Sequence, residues 1–335
     1  HQGVPASTVP RRLLAAEGSR VRLVAVSGAS NVTGVLTPIH EIARMAHHAG
    51  ARILVDAAQL APHRPIDLHP RDREADASLD FVALSGHKLY APGSRGVLIG
   101  AFAPFERRRC IGDVGGGMAE YVSTEDFQVK DEITAREEAG TPNIPGTIAL
   151  GMIARLLAEL PMAQVARAEE PLTAYALERL RSVPGARVFG PEDPALRVGV
   201  FSFAIDGLPY GLVAAYLDDF HAIAVRDGCF CAHPYVKALL GIGAADERRY
   251  LEELARGDRR NVPGMVRASL GLYSTRDDVD ALTAALAELV RERDRVGRLY
   301  RQEMDGAFVL AGPPRHTVSG EALFSLDAAL TLVRG

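Results

Sequence analysis

The stretch DFVALSGHKLYAPGSRGVLIG, residues 80–100, decides how this chain is read. DFVALS (80–85) is a short apolar run suited to a buried strand, and RGVLIG (95–100) is a second. Between them Ser85, His87 and Lys88 stand in a turn of small residues. Lysine is scarce here: it occurs only at 88, 130 and 237, and 35 of the 38 basic residues are arginine. Arginine stays protonated and cannot serve as an amine nucleophile. A lysine kept at the end of an apolar strand is therefore a candidate for amine chemistry, whereas Lys130 and Lys237 read as surface residues.

The same pattern recurs on either side. VRLVAVS (21–27) is a β-branched run that ends in GASN (28–31). PIHEIARMAHHAG (38–50) has helical spacing, with Pro38 suited to the first turn and Gly50 to the C-terminal end. ARILVD (51–56) is another strand. Apolar strands alternating with a helix predict an α/β fold, a mainly parallel sheet covered on both faces with ligands at the strand ends. DVGGGMAEYVS (113–123) and REEAGTPNIPG (136–146) read as ordered loops. Helices are expected over about 148–160 and 165–183, with a break at Pro161. A strand over 197–205, a helix near 210–219 and a short strand in HAIAVRDG (221–228) follow. A helix near 234–240, the strand MVRASLGL (265–272) and a long helix over 277–296 complete the pattern. The expected division is a large domain over 1–157, a smaller α+β C-terminal domain over 158–297 and an unassigned tail over 298–335.

Composition narrows the classes. The chain has 335 residues, 47% apolar and 24% charged, the balance of a globular protein. A net charge of −4 with interspersed signs offers no basic face for nucleic acid. No apolar run reaches the roughly 18 residues of a membrane span, and no basic-then-apolar secretory signal is visible. Three cysteines do not make a disulfide framework, so the cytosol is the default compartment.

The strand ends collect polar groups. Asp56 and Gln59 end one strand, Ser85, His87 and Lys88 the next, and Asn31 follows the first. A carboxylate, an amide, a hydroxyl, an imidazole and an amine along one sheet edge suit a cofactor with a pyridine nitrogen, a phenolic oxygen, a phosphate and an aldehyde. The amine would form a Schiff base, and the carboxylate would keep the ring nitrogen protonated so that the ring can accept electrons. The hydroxyl and imidazole suit the phosphate. Taken singly, Asp56 could cap a strand-to-helix turn and His87 could be a satisfied, partly buried histidine. Arg267, in an apolar strand, would be costly without an anion, which a structural carboxylate or a substrate could supply.

VRDGCFCAHPYVKALLG (225–241) is the second informative stretch. Pro234 suits a helix start and Gly241 its end, so Cys231 stands just ahead of a helix N-terminus, where the macrodipole favours a thiolate. Arg226 is near enough in sequence to assist. The C–x–C spacing could suggest metal, but no second Cys/His pair accompanies it, and no metal site is expected.

ILVDAAQLAPHRPIDL (53–68), residues 80–100, EEAGTPN (137–143) and MVRASLGLYSTRDD (265–278) resemble the class V aminotransferase family of pyridoxal-phosphate enzymes. The branch most similar is the cysteine desulfurases and selenocysteine lyases with an R–x–G–x–x–C motif, matched by Arg226, Gly228 and Cys231. The resemblance covers about residues 20–295 and implies a fold-type-I homodimer with pyridoxal 5'-phosphate. It makes Lys88 the Schiff-base lysine and Asp56 the partner of the pyridine nitrogen. It puts Gln59 on the ring oxygen and Ser85 and His87 on the phosphate. Thr141 looks like the residue that reaches the neighbouring subunit's phosphate. Arg267 resembles the holder of the substrate carboxylate, with Asn31 and Arg226 also placed near substrate. Cys231 would take sulfur from L-cysteine as a persulfide, releasing alanine, before passing it to a sulfur-acceptor protein.

Two departures matter. Cys229 stands where the branch usually has histidine, and GCFC is similar to the loop of molybdenum-cofactor sulfurases. Cys229 is thus open as a second sulfur acceptor, a resolving thiol or an inert residue, and Cys110 reads as structural. The family's early Gly/Thr phosphate-binding turn and its ring-stacking residue are not found, and the chain begins with His1. The expectation is a chain lacking the family's N-terminal part, with an incomplete cofactor site. The expected function is a cysteine desulfurase. The alternatives are another class V enzyme (aminotransferase, epimerase or C–S/C–Se lyase) and a catalytically incomplete fragment that only dimerises or scaffolds.

Overall fold

Among the described residues, four strands make the sheet on which the candidate site is built. In the computed structural model residues 7–70, 75–106 and 113–312 are described; His1 and Cys110 lie outside them. The chain divides into two units. One holds residues up to Pro171 and Asp193–Val198, the other Leu172–Glu192 and the chain from Gly199 onward.

The first unit begins with helix α1 (Thr8–Glu17) and strand β1 (Leu23–Ser27). Helix α2 (Ile39–His48) crosses over to β2 (Arg52–Asp56), which pairs parallel with β1. Ile42, Ala43 and Ala46, on one helical face, are fully buried, as are Ile53 and Val55 of β2. Pro38 is the N-cap and Gly50, at φ +74°, follows the end of α2, as the spacing predicts. β3 (Phe81–Ser85) pairs parallel with β2, and β4 (Gly96–Gly100) runs antiparallel to β3. The order is β1-β2-β3-β4.

Coverage of both sheet faces is not what the described residues show. β1 alternates exposed and half-buried residues, and every residue of β4 is exposed, Leu98 by 52%. An apolar run records that a strand suits a covered position, but the cover has to come from other elements. The stretch expected as loop over 113–123 contains β5 (Ala119–Val122), which forms a hairpin with β6 (Phe127–Val129). Short α3 (Ile133–Glu137) and long α4 (Ile144–Glu159) follow. α4 starts earlier than periodicity suggests because Asn143 caps it, its side-chain oxygen accepting from Gly146 N–H at 3.1 Å. Along α4, Ile144, Ile148, Met152 and Leu156 fall four apart and are all exposed. α5 (Met162–Arg181) begins after Pro161 and carries the chain from the first unit into the second at Pro171.

The second unit is α+β. β7 (Ala186–Phe189), β8 (Val200–Ile205), β9 (Arg226–Gly228) and β10 (Met265–Ser269) form an antiparallel sheet of order β7-β8-β10-β9. Helix α6 (Tyr210–His221) precedes β9, and α7 (His233–Leu240) and α8 (Ala244–Ala255) follow it. α9 (Arg276–Arg291) opens with a capping box between Thr275 and Asp278 and continues into α10 (Arg293–Gly297). A hairpin of β11 (Tyr300–Gln302) and β12 (Phe308–Leu310) lies in the stretch left unassigned. α1, β7, α8 and this hairpin were not legible as elements, being short or weakly patterned. The core joins Phe201 and Phe203 of β8, Val213 and Leu217 of α6, and Leu282, Leu286 and Leu289 of α9. Among the described residues no single helix is long and apolar enough to cross a membrane.

Leu286 is fully buried in that core. Leu286→Ala should cost about 3 kcal/mol, a transfer term plus the cavity left behind. Urea unfolding followed by a probe in the second unit measures it, and a loss well below about 1 kcal/mol would remove Leu286 from the core's essential packing.

Candidate functional site

Parallel pairing sets Ser27 opposite Asp56 and Asp56 opposite Ala83, so the C-terminal ends of β1, β2 and β3 share one edge. Loop geometry follows from that register. Gly28 N–H donates to Asp56 O at 2.8 Å and Ala57 N–H to Ala83 O at 2.9 Å. A Cβ on Gly28 would fall 2.8 Å from a methyl of Leu60, so a side chain in the turn past β1 would have to displace that leucine. Asn31 is half-buried in that turn, and its neighbour Ser30 accepts from Val32 and Thr33 N–H groups.

On this edge the structure brings together five of the expected residues. Asp56 is exposed, and its Oδ1 accepts from Ala58 N–H at 3.0 Å; the turn-capping role is real and leaves the carboxylate accessible. Buried Gln59 accepts from Lys88 Nζ through Oε1 at 3.2 Å. Ser85 Oγ lies 3.0 Å from His87 Nδ1, and His87 is exposed. Ser85, His87 and Lys88 hold these places because residues Gly86–Leu89 form one tight 3-10 turn, ended by Tyr90 in the left-handed region. Gly86 is required there: a Cβ would lie 2.0 Å from Ser94 Oγ and 2.8 Å from Arg95 O.

Thr141 is exposed on the bend before α4. Asn143, which the sequence reading did not single out, ties that bend to the lysine loop by donating from Nδ2 to Gly93 O at 2.6 Å. Behind Gln59 lies a second group the sequence reading missed. Gln59 Nε2 is 3.3 Å from His63 Nε2, His63 Nδ1 bonds Glu169, and Arg64 Nη1 donates to Glu169 at 2.6 Å. His63 is 3% exposed. Burial pushes the Glu169 carboxyl up, but His63 and Arg64 outweigh it and hold the group below its ordinary range. The i,i+4 spacing of Gln59 and His63 was the available signal.

In the second unit, β9 sets Arg226 opposite Arg267 of β10. Arg226 is exposed and Arg267 half-buried, its guanidinium 5.1 Å from the centre of the Phe230 ring. Burial, then the charge of Arg226, lower the Arg267 pKa from its ordinary value, and Cys231 opposes them. Two guanidinium groups side by side favour an anion. Phe230 and Cys231 follow Gly228 with φ values of +52° and +61°. Consecutive side-chain-bearing residues in the left-handed region cost about 1–2 kcal/mol each. That backbone turns the two cysteines apart. Cys231 is exposed, one residue before the Ala232 N-cap of α7. Cys229 is buried, its thiol donates to Pro263 O at 3.0 Å, and burial raises its pKa. Of the three roles open for Cys229, these surroundings favour the inert one. Among the described residues no cluster of His, Cys, Asp and Glu could hold a metal ion.

The donor set on the sheet edge fits a pyridoxal-phosphate group: an amine for the aldehyde, a carboxylate for the ring nitrogen, an amide for the ring oxygen, and a hydroxyl and imidazole for phosphate oxygens. The two cysteines should differ in reactivity. Alkylation of the native protein with iodoacetamide, mapped by mass spectrometry, should modify Cys231 and leave Cys229 until the chain is unfolded. Comparable rates at both would show that burial does not protect Cys229.

A family model described as Aminotransferase class-V matches residues 9–282. A cysteine desulfurase of Klebsiella pneumoniae (strain 342) is 36% identical over 276 residues, 81% of this chain and 59% of that protein. A probable cysteine desulfurase of Halalkalibacterium halodurans is 36% identical over 80% of this chain and 58% of that protein. This chain therefore spans under two thirds of the length of these relatives. Among solved structures, the apo cysteine desulfurase of Thermococcus onnurineus NA1 superimposes with a TM-score of 0.66 at 31% identity, covering 84% of this chain and 62% of that one. The Escherichia coli cysteine desulfurase CsdA gives 0.64 at 32% identity over 86% and 62%. The fold is fold type I of the pyridoxal-phosphate enzymes. On a family match over most of its length, and on relatives that share more than a third of the aligned residues, the chain belongs to the class-V aminotransferase family.

Proposed function

We propose that this protein is a pyridoxal-phosphate-dependent cysteine desulfurase, which moves the sulfur of L-cysteine to Cys231 and releases alanine. Lys88 would hold the cofactor covalently, Asp56 its ring nitrogen and Gln59 its ring oxygen. Ser85 and His87 would take the phosphate, and Thr141 a phosphate of the neighbouring subunit. When bound, the cofactor supplies an electron sink for the carbon skeleton of the substrate. Arg267, with Arg226 and Asn31, would orient the substrate carboxylate. The ε-amine of Lys88 would carry the proton taken from the α-carbon. The thiolate of Cys231 would attack the substrate sulfur. The S–S bond forms as the substrate's C–S bond breaks, and the electron pair left on carbon is taken up by protonation to give alanine.

The observation that carries this reading is the exposed thiol of Cys231 in an R–x–G–x–x–C loop beside paired Arg226 and Arg267. An aminotransferase or epimerase has no use for such a thiol. The names of the relatives point the same way. An exposed persulfide could also be reached by an acceptor protein, and unpaired Cys229 and Cys231 suit the reducing cytosol. With the cofactor and L-cysteine supplied, the parent chain should give a coloured adduct, alanine and a persulfide on Cys231. Lys88→Ala should abolish the colour. Cys231→Ser should lower alanine release by about a hundredfold or more, the scale on which loss of a nucleophile acts, while Cys229→Ser leaves it unchanged. Full turnover in Cys231→Ser would move the reading to another class V chemistry, and a colourless parent chain would leave it without an enzyme.

A homodimer is part of the same proposal. Its support is the exposed row Ile144, Ile148, Met152 and Leu156, since apolar rows of this kind mark association surfaces. Sedimentation should find the parent chain dimeric and Met152→Glu monomeric. A parent chain that sediments as a monomer at all concentrations would end the proposal.

A further inference from the structure

The amine of Lys88 lies at one end of a hydrogen-bond chain whose direction can be followed. An ammonium group only donates, and Lys88 Nζ donates to Gln59 Oε1 at 3.2 Å. The carboxamide oxygen of Gln59 therefore faces the lysine, and its NH₂ group faces His63 Nε2, 3.3 Å away. A ring nitrogen met by a donor has to accept, so Nε2 of His63 carries no hydrogen. The ring hydrogen sits on Nδ1 and is donated to Glu169. Glu169 is anchored in turn by Arg64, whose guanidinium also donates to His63 O and Arg197 O, each at 2.9 Å. The side chains of His63 and Glu169 are 4% and 10% exposed, so bulk water does not compete for these bonds.

We propose that Glu169 and Arg64, acting through His63, are positioning residues that lock the Gln59 carboxamide with its oxygen toward Lys88. A carboxylate on Nδ1 selects the tautomer with a bare Nε2. Without it the ring hydrogen can move to Nε2, where it meets the NH₂ of Gln59. Two donors face each other, and the amide relieves this by turning over, which presents its NH₂ to the lysine ammonium and creates the same clash there. One acid thus orients an amide two groups away. The second hydrogen of that NH₂ is the one a ring oxygen would take, so the proposal deepens the cofactor reading. The tautomer itself belongs to the chain alone.

The test uses cofactor-free protein labelled with ¹⁵N histidine at neutral pH, with the His63 signals assigned by their loss in His63→Gln. His63 should show a bare Nε2 and a protonated Nδ1. A protonated Nε2 in the parent chain overturns the proposal without any variant. In Glu169→Ala the Nε2-protonated form should appear, and in Glu169→Asp it should recede. The second readout is capture of pyridoxal phosphate by Lys88. His63→Leu and Glu169→Ala should weaken it by about tenfold, as expected for a buried polar group left unmatched. His63→Gln can still accept from Gln59 and donate to Glu169, and should stay within about twofold of the parent. Equal losses in His63→Leu and His63→Gln would make the cluster mere packing and overturn the proposal. If the parent chain captures no cofactor, the functional reading fails, while the histidine signals still decide the tautomer.

Discussion

The register of three parallel strands is the constraint on which this site depends. Ser27, Asp56 and Ala83 stand side by side across β1, β2 and β3. Parallel pairing sends every strand end to the same edge, so groups that are distant in sequence meet without any of them seeking the others. A slip by one residue would turn each side chain to the opposite face and scatter the set. β4 reverses direction against β3. The return loop packs on Gly86, and this close approach bends the lysine turn tightly enough to keep Ser85, His87 and Lys88 together.

Behind that edge the first unit pays for its buried charge with pairing. Glu169 and Arg64 are costly groups to remove from water, and each is satisfied by the other and by His63 or a backbone carbonyl. The second unit works differently. Its hydrophobic core of β8, α6 and α9 is conventional, and what chemistry it offers rests on backbone strain and on like charges held close. Left-handed Phe230 and Cys231 give one thiol to solvent and the other to the interior, within three residues of each other.

Much of the architecture was legible in the residues. β2 and β3 are apolar runs ended by acids and hydroxyls, and α2 and α9 carry regular apolar faces with recognisable ends. The six polar residues at the strand ends could be named because a parallel sheet places strand ends predictably. Other parts were not legible. The hairpin of β5 and β6 lies in a stretch rich in glycine, where no alternation stands out. The exposure of β4 was also hidden, because an apolar strand reads the same whether or not another element covers it.

Local sequence therefore determined the strongly patterned strands and helices, the residues that end them, and what chemistry those ends can offer, since periodicity and capping act over a few residues. Only the tertiary structure decided which cysteine is exposed and which groups stand against Gln59. The acceptor of the Cys229 thiol, Pro263 O, comes from 34 positions along the chain, and the acid behind His63 from 106. Burial and hydrogen-bond direction are set by whatever the fold brings alongside, and no window of sequence contains those partners.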